Sequence, residues 1–253
     1  MIQSRLAVFD LDGTLYRGAE AVPHAAEVVN ELVRRGVLVR YFTNNSAAQP
    51  EATTTKLVAL GFPCEPSWVY GTGPAAAQYV KRQGLANAYV IGEDALLATF
   101  QAAGIETVTT EEAVQGLADT VVVGICRSFT YAMLRAAQRA IVQGAVYIAT
   151  NRDATYPVEG GLEDPGAGSI VASVTTASGQ EPFVIGKPSP LLVDQIVADA
   201  GVSVSDTHVI GDRVDTDIAA GIAAGCRTFL VLTGVTRELP QGQDGGADLR
   251  SLL

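Results

Sequence analysis

The stretch Val8-Phe9-Asp10-Leu11-Asp12-Gly13-Thr14-Leu15 decides how this chain is read. Leu6 to Phe9 is an apolar run with the length and composition of a buried strand. Asp10 and Asp12 stand just past its C-terminal end, where open α/β sheets bind ligands. Residues two apart on extended backbone point the same way, so the two carboxylates converge on one place, and Gly13 lets the chain turn sharply behind them. One carboxylate can attack while the other manages a proton. A bare Asp-x-Asp also occurs in calcium loops, but those carry Gly sixth and Glu twelfth, whereas here Gly13 is fourth and Ala21 twelfth.

Outward from that stretch, short runs rich in Val, Ile and Phe alternate with longer amphipathic stretches, the pattern of strand-helix units in a parallel sheet. The expected fold is a doubly wound, Rossmann-like α/β core. Leu6 to Phe9, Val37 to Phe42, Phe183 to Ile185, Thr207 to Ile210 and Thr228 to Leu232 read as its strands. Ala25 to Arg35, Glu51 to Leu60, Pro190 to Ala200 and Asp215 to Ala224 read as helices, with Gly36, Gly61, Gly201 and Gly225 as their stops. Between roughly Gly71 and Pro182 the same grammar repeats, with apolar runs Ala88 to Ile91, Val121 to Ile125 and Val146 to Ala149. Core-type units lie on both sides of it. The expected organisation is therefore a core of residues 1–70 and 183–253 with residues 71–182 inserted as a smaller α/β domain. Glu159 to Gly168 is a Gly-rich loop ahead of a predicted helix.

Composition bounds what such a protein does. Of 253 residues 48% are hydrophobic and 17% charged, enough apolar material for a sizeable core and too little charge for disorder. A net charge of -10 repels polyanions, so nucleic acid and anionic membrane are poor partners. A small anion remains possible in a locally positive pocket. The three cysteines, Cys64, Cys126 and Cys226, are odd in number and lack metal-type spacing, and the N-terminal apolar run is broken too early for a signal peptide. A soluble, cytoplasmic protein is expected. His24 and His208 stand outside every motif and read as structural.

Three further segments carry chemistry. Phe42-Thr43-Asn44-Asn45-Ser46 follows the second core strand, and its hydroxyl, amides and backbone N–H groups make a phosphate cradle without net charge; an Asn-rich capping turn is the competing reading. Ile185-Gly186-Lys187-Pro188-Ser189-Pro190 brackets a lysine between Gly and Pro, placed to neutralise charge on a transferring phosphoryl group. Gly211-Asp212-Arg213-Val214-Asp215-Thr216-Asp217 puts three acids beyond another strand end. Magnesium prefers hard oxygen donors, and a site built from Asp10, the Asp12 carbonyl and Asp212 suits it, while acids at a helix start also serve as caps.

Together DLDGTL, TNN, GKPSP and GDRVDTDI, in this order and at these strand ends, resemble the haloacid dehalogenase-like phosphohydrolases, in the NagD and 4-nitrophenylphosphatase-type subgroup. The resemblance runs over nearly the whole chain. It implies Asp10 as nucleophile, Asp12 as acid/base, and Thr43, Asn44 and Asn45 as holders of the phosphoryl group. It further implies Lys187 as charge balance, Asp212 as a Mg2+ ligand with Asp217 in support, and Asp215 at a variable position. The inserted domain corresponds to the family's α/β cap, through which members often dimerise. Its segment Ala149-Thr150-Asn151-Arg152-Asp153-Ala154-Thr155-Tyr156-Pro157 resembles the specificity loop, making Asn151, Asp153 and Tyr156 substrate-choosing candidates. Tyr156 stands where some pyridoxal-phosphate phosphatases carry His, a departure from that substrate. The implied activity is hydrolysis of a small phosphomonoester such as a nucleotide, sugar phosphate or phosphoglycolate, with 4-nitrophenyl phosphate as artificial substrate. A phosphotransferase or mutase using the same Asp, and a non-catalytic anion- or metal-binding protein, are the alternatives.

Overall fold

The computed structural model describes residues 4–157 and 162–253, so Glu159 to Gly161 of the Gly-rich loop lie outside the described residues. The chain forms two compact units, one of Met1–Thr43, Pro50–Tyr70 and Lys187–Leu253, the other of Asn44–Gln49 and Gly71–Gly186.

The first unit is built on a six-stranded sheet in the order Gly245–Gly246, Arg227–Val231, Thr207–Gly211, Leu6–Phe9, Leu38–Thr43, Val69–Gly71. Leu6–Phe9 runs parallel to both neighbours, with Phe9 opposite Ile210 on one side and Tyr41 on the other. All four of its residues are buried, as a central parallel strand covered on both faces requires. From it the chain proceeds to Leu38–Thr43 on one side and later returns to Thr207–Gly211 on the other, so the strand order reverses beside it. Such a switch point opens a crevice at the C-terminal strand ends. The helix Ala25–Arg34 buries Ala25, Val28, Val29 and Leu32, one stripe at 3.6-residue spacing, into a cluster that includes Phe9, Leu11, Tyr41 and Phe229. Gly36, Gly61, Gly201 and Gly225 all have positive φ (83°, 86°, 62° and 76°), the left-handed geometry that ends a helix. The stretch read as a helix from Asp215 is in fact a π-helical turn, Val214–Ile218, that leads into a short helix, Ala219–Ala223.

The second unit has its own parallel sheet of five strands, in the order Phe183–Val184, Val146–Ala149, Thr120–Val123, Asn87–Ile91, Glu106–Thr107. Its separate core gathers Tyr89, Val121, Val123, Ala137, Ile141, Tyr147 and Val174. A small antiparallel hairpin pairs Thr155–Pro157 with Glu163–Pro165.

One boundary is corrected. Phe183 to Ile185 was assigned to the core sheet, but Phe183–Val184 pairs with Ile148 and Ala149 of the second sheet, and the Phe183 ring stacks on Tyr79 at 4.4 Å. The chain passes between units at Gly186/Lys187 instead of 182/183, and residues 44–49 also join the second unit. An apolar run announces a strand without saying which of two parallel sheets it completes. Among the described residues no helix is long and apolar enough to cross a membrane.

Candidate functional site

In the first unit, parallel pairing brings Asp10, Asp212 and Thr43 to one edge of the sheet, because Asp10 and Asp212 directly follow adjacent strands and Thr43 closes a third. The Asp10 N–H donates to the Ile210 carbonyl at 2.8 Å, extending the ladder by one residue and fixing the carboxylate at the strand end. Gly13, at φ 88°, then reverses the chain; a Cβ there would lie 2.6 Å from Asp212 Oδ2, so the turn needs glycine for both conformation and space. The strand-turn-hairpin that follows, with Tyr16–Arg17 paired to Glu20–Ala21, is no calcium-loop geometry.

The site is a knot of buried charge. Carboxylate oxygens of Asp10, Asp212 and Asp217 lie within 4.8 Å of one another. Lys187 Nζ donates to Asp10 Oδ1 and pairs with Asp217 Oδ1 at 2.7 Å, and it rests 4.4 Å from the Phe42 ring centroid. Exposure is only 6% for Asp10, 4% for Lys187 and 1% for each of Asp212 and Asp217, so little water screens these charges. Burial, then the charge of Asp217, push the Asp10 carboxyl well above the usual carboxylate range, with Lys187 opposing. Burial and Asp217 likewise push Asp212 up to about 6. Burial would lower the Lys187 pKa, but Asp10 and Asp217 outweigh it and hold the ammonium charged.

Asp217 earns its place through the π-helical turn. Its Oδ2 accepts from the backbone N–H groups of Asp212 (3.1 Å) and Arg213 (3.0 Å) while Oδ1 holds Lys187, so one side chain aligns both the acid and the base beside it. Asp215 points away and pairs with Arg213. Sequence reading missed the far wall: Val235 N–H donates to Asp212 Oδ2 at 2.5 Å, Thr14 Oγ1 reaches Asp212 Oδ1 at 3.5 Å, and Thr233 Oγ1 donates to the Gly13 carbonyl at 2.7 Å. Gly234 lies so close that any Cβ would strike the Asp212 carboxylate. The only sequence signal was the Thr233-Gly234 pair directly after a strand.

Asp12 differs from Asp10 in exposure and in partners. The residue is solvent-exposed, and its Oδ2 accepts from the Tyr16 hydroxyl at 3.4 Å. Although the residue as a whole is exposed, protein atoms packed around its carboxyl raise its pKa, against the charges of Lys56 and Lys187. Its carboxylate is not part of the buried cluster, and the expected metal contact is its main-chain carbonyl.

The other candidates fall in the second unit. Asn44 Nδ2 donates to both carboxylate oxygens of Asp153 (3.2 and 3.1 Å), and the Asn44 carbonyl accepts from Asn151 Nδ2 (2.7 Å) and Thr72 Oγ1 (3.1 Å). Asn151 Oδ1 in turn accepts from Asp153 N–H at 3.0 Å, closing a ring of three sequence-picked residues. Asn45 Oδ1 accepts from Ala47 N–H at 2.8 Å, the local turn that was the competing reading of this motif. Tyr156 sits apart, on the hairpin, with Arg127 and Asp164 as partners.

Three acids to one lysine leave a formal excess of two negative charges among hard oxygen donors. That donor set fits a divalent cation of the Mg2+ kind and no soft metal.

Residues 7–106 match the family model described as haloacid dehalogenase-like hydrolase, and residues 184–248 match a second described as HAD-hydrolase-like. A 5'-nucleotidase from Bacillus subtilis is 41% identical over 91% of this chain and 88% of its own length. Among solved structures, NagD from E. coli K-12 superposes with a TM-score of 0.86 at 30% identity, over 97% of either chain. A glycerol phosphate phosphatase from Mycobacterium tuberculosis in complex with magnesium gives 0.87 at 32% identity, over 99% of this chain and 77% of that one.

Proposed function

Because this chain belongs to the haloacid dehalogenase-like hydrolases, as a NagD-type phosphoric monoester hydrolase, we propose that it cleaves a small phosphomonoester through a phosphoryl group carried on Asp10, with Mg2+ as cofactor. The observation that carries the reading is the contrast between the two carboxylates: Asp10 is buried and paired with Lys187, whereas Asp12 stands outside that cluster beside the Tyr16 hydroxyl. Two carboxylates whose surroundings differ divide the roles of nucleophile and acid.

Asp10 attacks phosphorus, the bond from phosphorus to the ester oxygen breaks, and Asp12 gives its proton to the departing oxygen. Asp12, now ionised, takes a proton from water; that oxygen attacks phosphorus, the bond to Asp10 breaks, and inorganic phosphate leaves. Lys187 opposes the upward shift of the Asp10 pKa and offsets charge on the group in transfer, and Asp217 holds Lys187 in place. Thr43, buried at its strand end, supplies a hydroxyl to the phosphoryl oxygens. Mg2+ held by Asp10, Asp212 and the Asp12 carbonyl would cancel the excess negative charge and polarise the phosphoryl oxygens. The magnesium in the M. tuberculosis relative supports that choice. Asn151, Asp153 and Tyr156 choose the ester, with nucleoside monophosphates, sugar phosphates including glycerol phosphate, and phosphoglycolate as candidates. Three cysteines free of disulfides suit a reducing cytoplasm.

The test is phosphate release from those esters and from 4-nitrophenyl phosphate, with Mg2+, with EDTA, and with Asp10→Asn. Turnover that needs both metal and Asp10 supports the reading; full turnover by Asp10→Asn overturns it.

A further inference from the structure

Tyr156 stands on a hairpin of two three-residue strands that pairs with no other strand among the described residues. Such a hairpin is marginal alone in water and needs an outside support to hold a side chain in one place. Its root is tied by backbone: Gly166 N–H donates to Ala154 O at 2.7 Å and Gly168 N–H to Asp153 O at 2.9 Å. A Cβ at either glycine would strike the carbonyls of Asp153 or Arg152, which gives the end of the Gly-rich loop its reason. These bonds hold the chain before Tyr156 and leave the Tyr156 ring itself unaddressed.

The ring is held by Arg127, four residues past the end of the buried strand Thr120–Val123 of the second unit's sheet. Arg127 Nε donates to Tyr156 Oη at 3.1 Å, and its guanidinium lies 5.4 Å from the ring centroid. Arg127 is itself fixed by Glu93: its N–H donates to Glu93 Oε1 at 2.7 Å, and Nη1 stands 3.5 Å from Glu93 Oε2. Glu93 N–H in turn donates to the Ile125 carbonyl at 3.1 Å, so the support runs back to the sheet. Tyr156 Oη then donates to Asp164 Oδ2, its cross-strand partner, at 3.4 Å.

We infer that Arg127 is a positioning residue that fixes Tyr156 and thereby sets which phosphomonoester the enzyme prefers. The inference rests on the reading of Tyr156 as a substrate-choosing residue. A planar guanidinium both donates in a fixed direction and stacks on the ring, and a lysine ammonium does neither in that geometry. Charge alone is therefore not the property Arg127 supplies.

The experiment compares kcat/KM for uridine 5'-monophosphate, glycerol 3-phosphate and 4-nitrophenyl phosphate in wild type, Tyr156→Ala, Arg127→Ala, Arg127→Lys and the double alanine variant, each with its melting temperature. Arg127→Ala and Arg127→Lys should shift the ratio between esters in the same direction as Tyr156→Ala, by about fivefold, the factor one net hydrogen bond is worth. For the Arg127 variants the shift should lie in KM, with their kcat on 4-nitrophenyl phosphate unchanged, and the double variant should show the ester ratio of Tyr156→Ala alone. A ratio moved by Tyr156→Ala and untouched by Arg127→Ala overturns the role of Arg127 and leaves Tyr156 standing. A ratio untouched by Tyr156→Ala overturns both, while turnover of 4-nitrophenyl phosphate independently reports the phosphatase chemistry.

Discussion

The strand-end site of the first unit and the Tyr156 hairpin of the second are built on opposite terms. The first packs Asp10, Asp212, Asp217 and Lys187 at 6% exposure or less, each held by at least one hydrogen bond or ion pair. The second mounts an aromatic ring on six paired residues, steadied by an exposed arginine. Buried charge is strong and unforgiving, because removing one partner strands another without water. An exposed polar support is weak, and its geometry can be retuned at small cost. The proposed chemistry sits on the first kind of structure, and the proposed choice of substrate sits on the second.

That comparison predicts a ranking of effects. Asp10→Asn should lower kcat by at least about 10⁴-fold while ester binding persists, checked by single-turnover kinetics and calorimetry. Lys187→Met should cost about 10²–10³-fold in kcat and destabilise the metal-free protein by about 3–5 kcal/mol, read by urea unfolding, since it leaves buried carboxylates uncompensated. Asp212→Asn should separate the two properties. It removes a buried like charge, so the metal-free protein gains on the order of 1–3 kcal/mol while Mg2+ affinity and turnover fall. Equal loss of stability in both variants would break the account of the cluster as excess negative charge. Tyr156→Phe should shift the preference between esters by a few-fold and leave the melting temperature within about 1 °C, the exposed-support behaviour.

The smallest effect comes from an internal control at the other end of the strand Thr207–Gly211. His208 is buried, with Nδ1 2.6 Å from Ser4 Oγ, and burial followed by the charge of Arg227 lowers its pKa. A depressed histidine pKa means the folded state takes the proton less readily than the unfolded chain. Its contribution is therefore complete above the unfolded pKa of about 6.5 and is lost as pH falls below it. His208→Gln should flatten that limb of the stability profile without changing turnover at pH 7.

Much of this was legible in sequence, for definite reasons. Leu6 to Phe9 and Val146 to Ala149 are apolar runs closed by polar or turn residues, and both strands fall on those residues. Asp10 and Asp212 were legible because parallel strands deliver their C-terminal ends to one edge, so that order along the chain becomes nearness in space, whereas Lys187 was legible from its Gly186 and Pro188 bracket although the strand before it belongs to the other sheet. Phe183–Val184 was misassigned because a two-residue strand carries no mark of its sheet. The dual grip of Asp217 was hidden by a π-helical turn that periodicity does not announce. Val235 and Gly234 act through a backbone N–H and through the absence of a side chain, features that residue types do not display. Arg127 belongs to none of the sequence motifs, and its partner lies 29 residues away across a loop.

Enzyme, Mg2+ and 4-nitrophenyl phosphate are mixed and quenched in acid within the first turnover, and the phosphoryl group is mapped by mass spectrometry. One phosphoryl group is expected on the peptide that contains Asp10, absent from Asp10→Asn. Full turnover with no modified Asp10, or with the group on another residue, would contradict it.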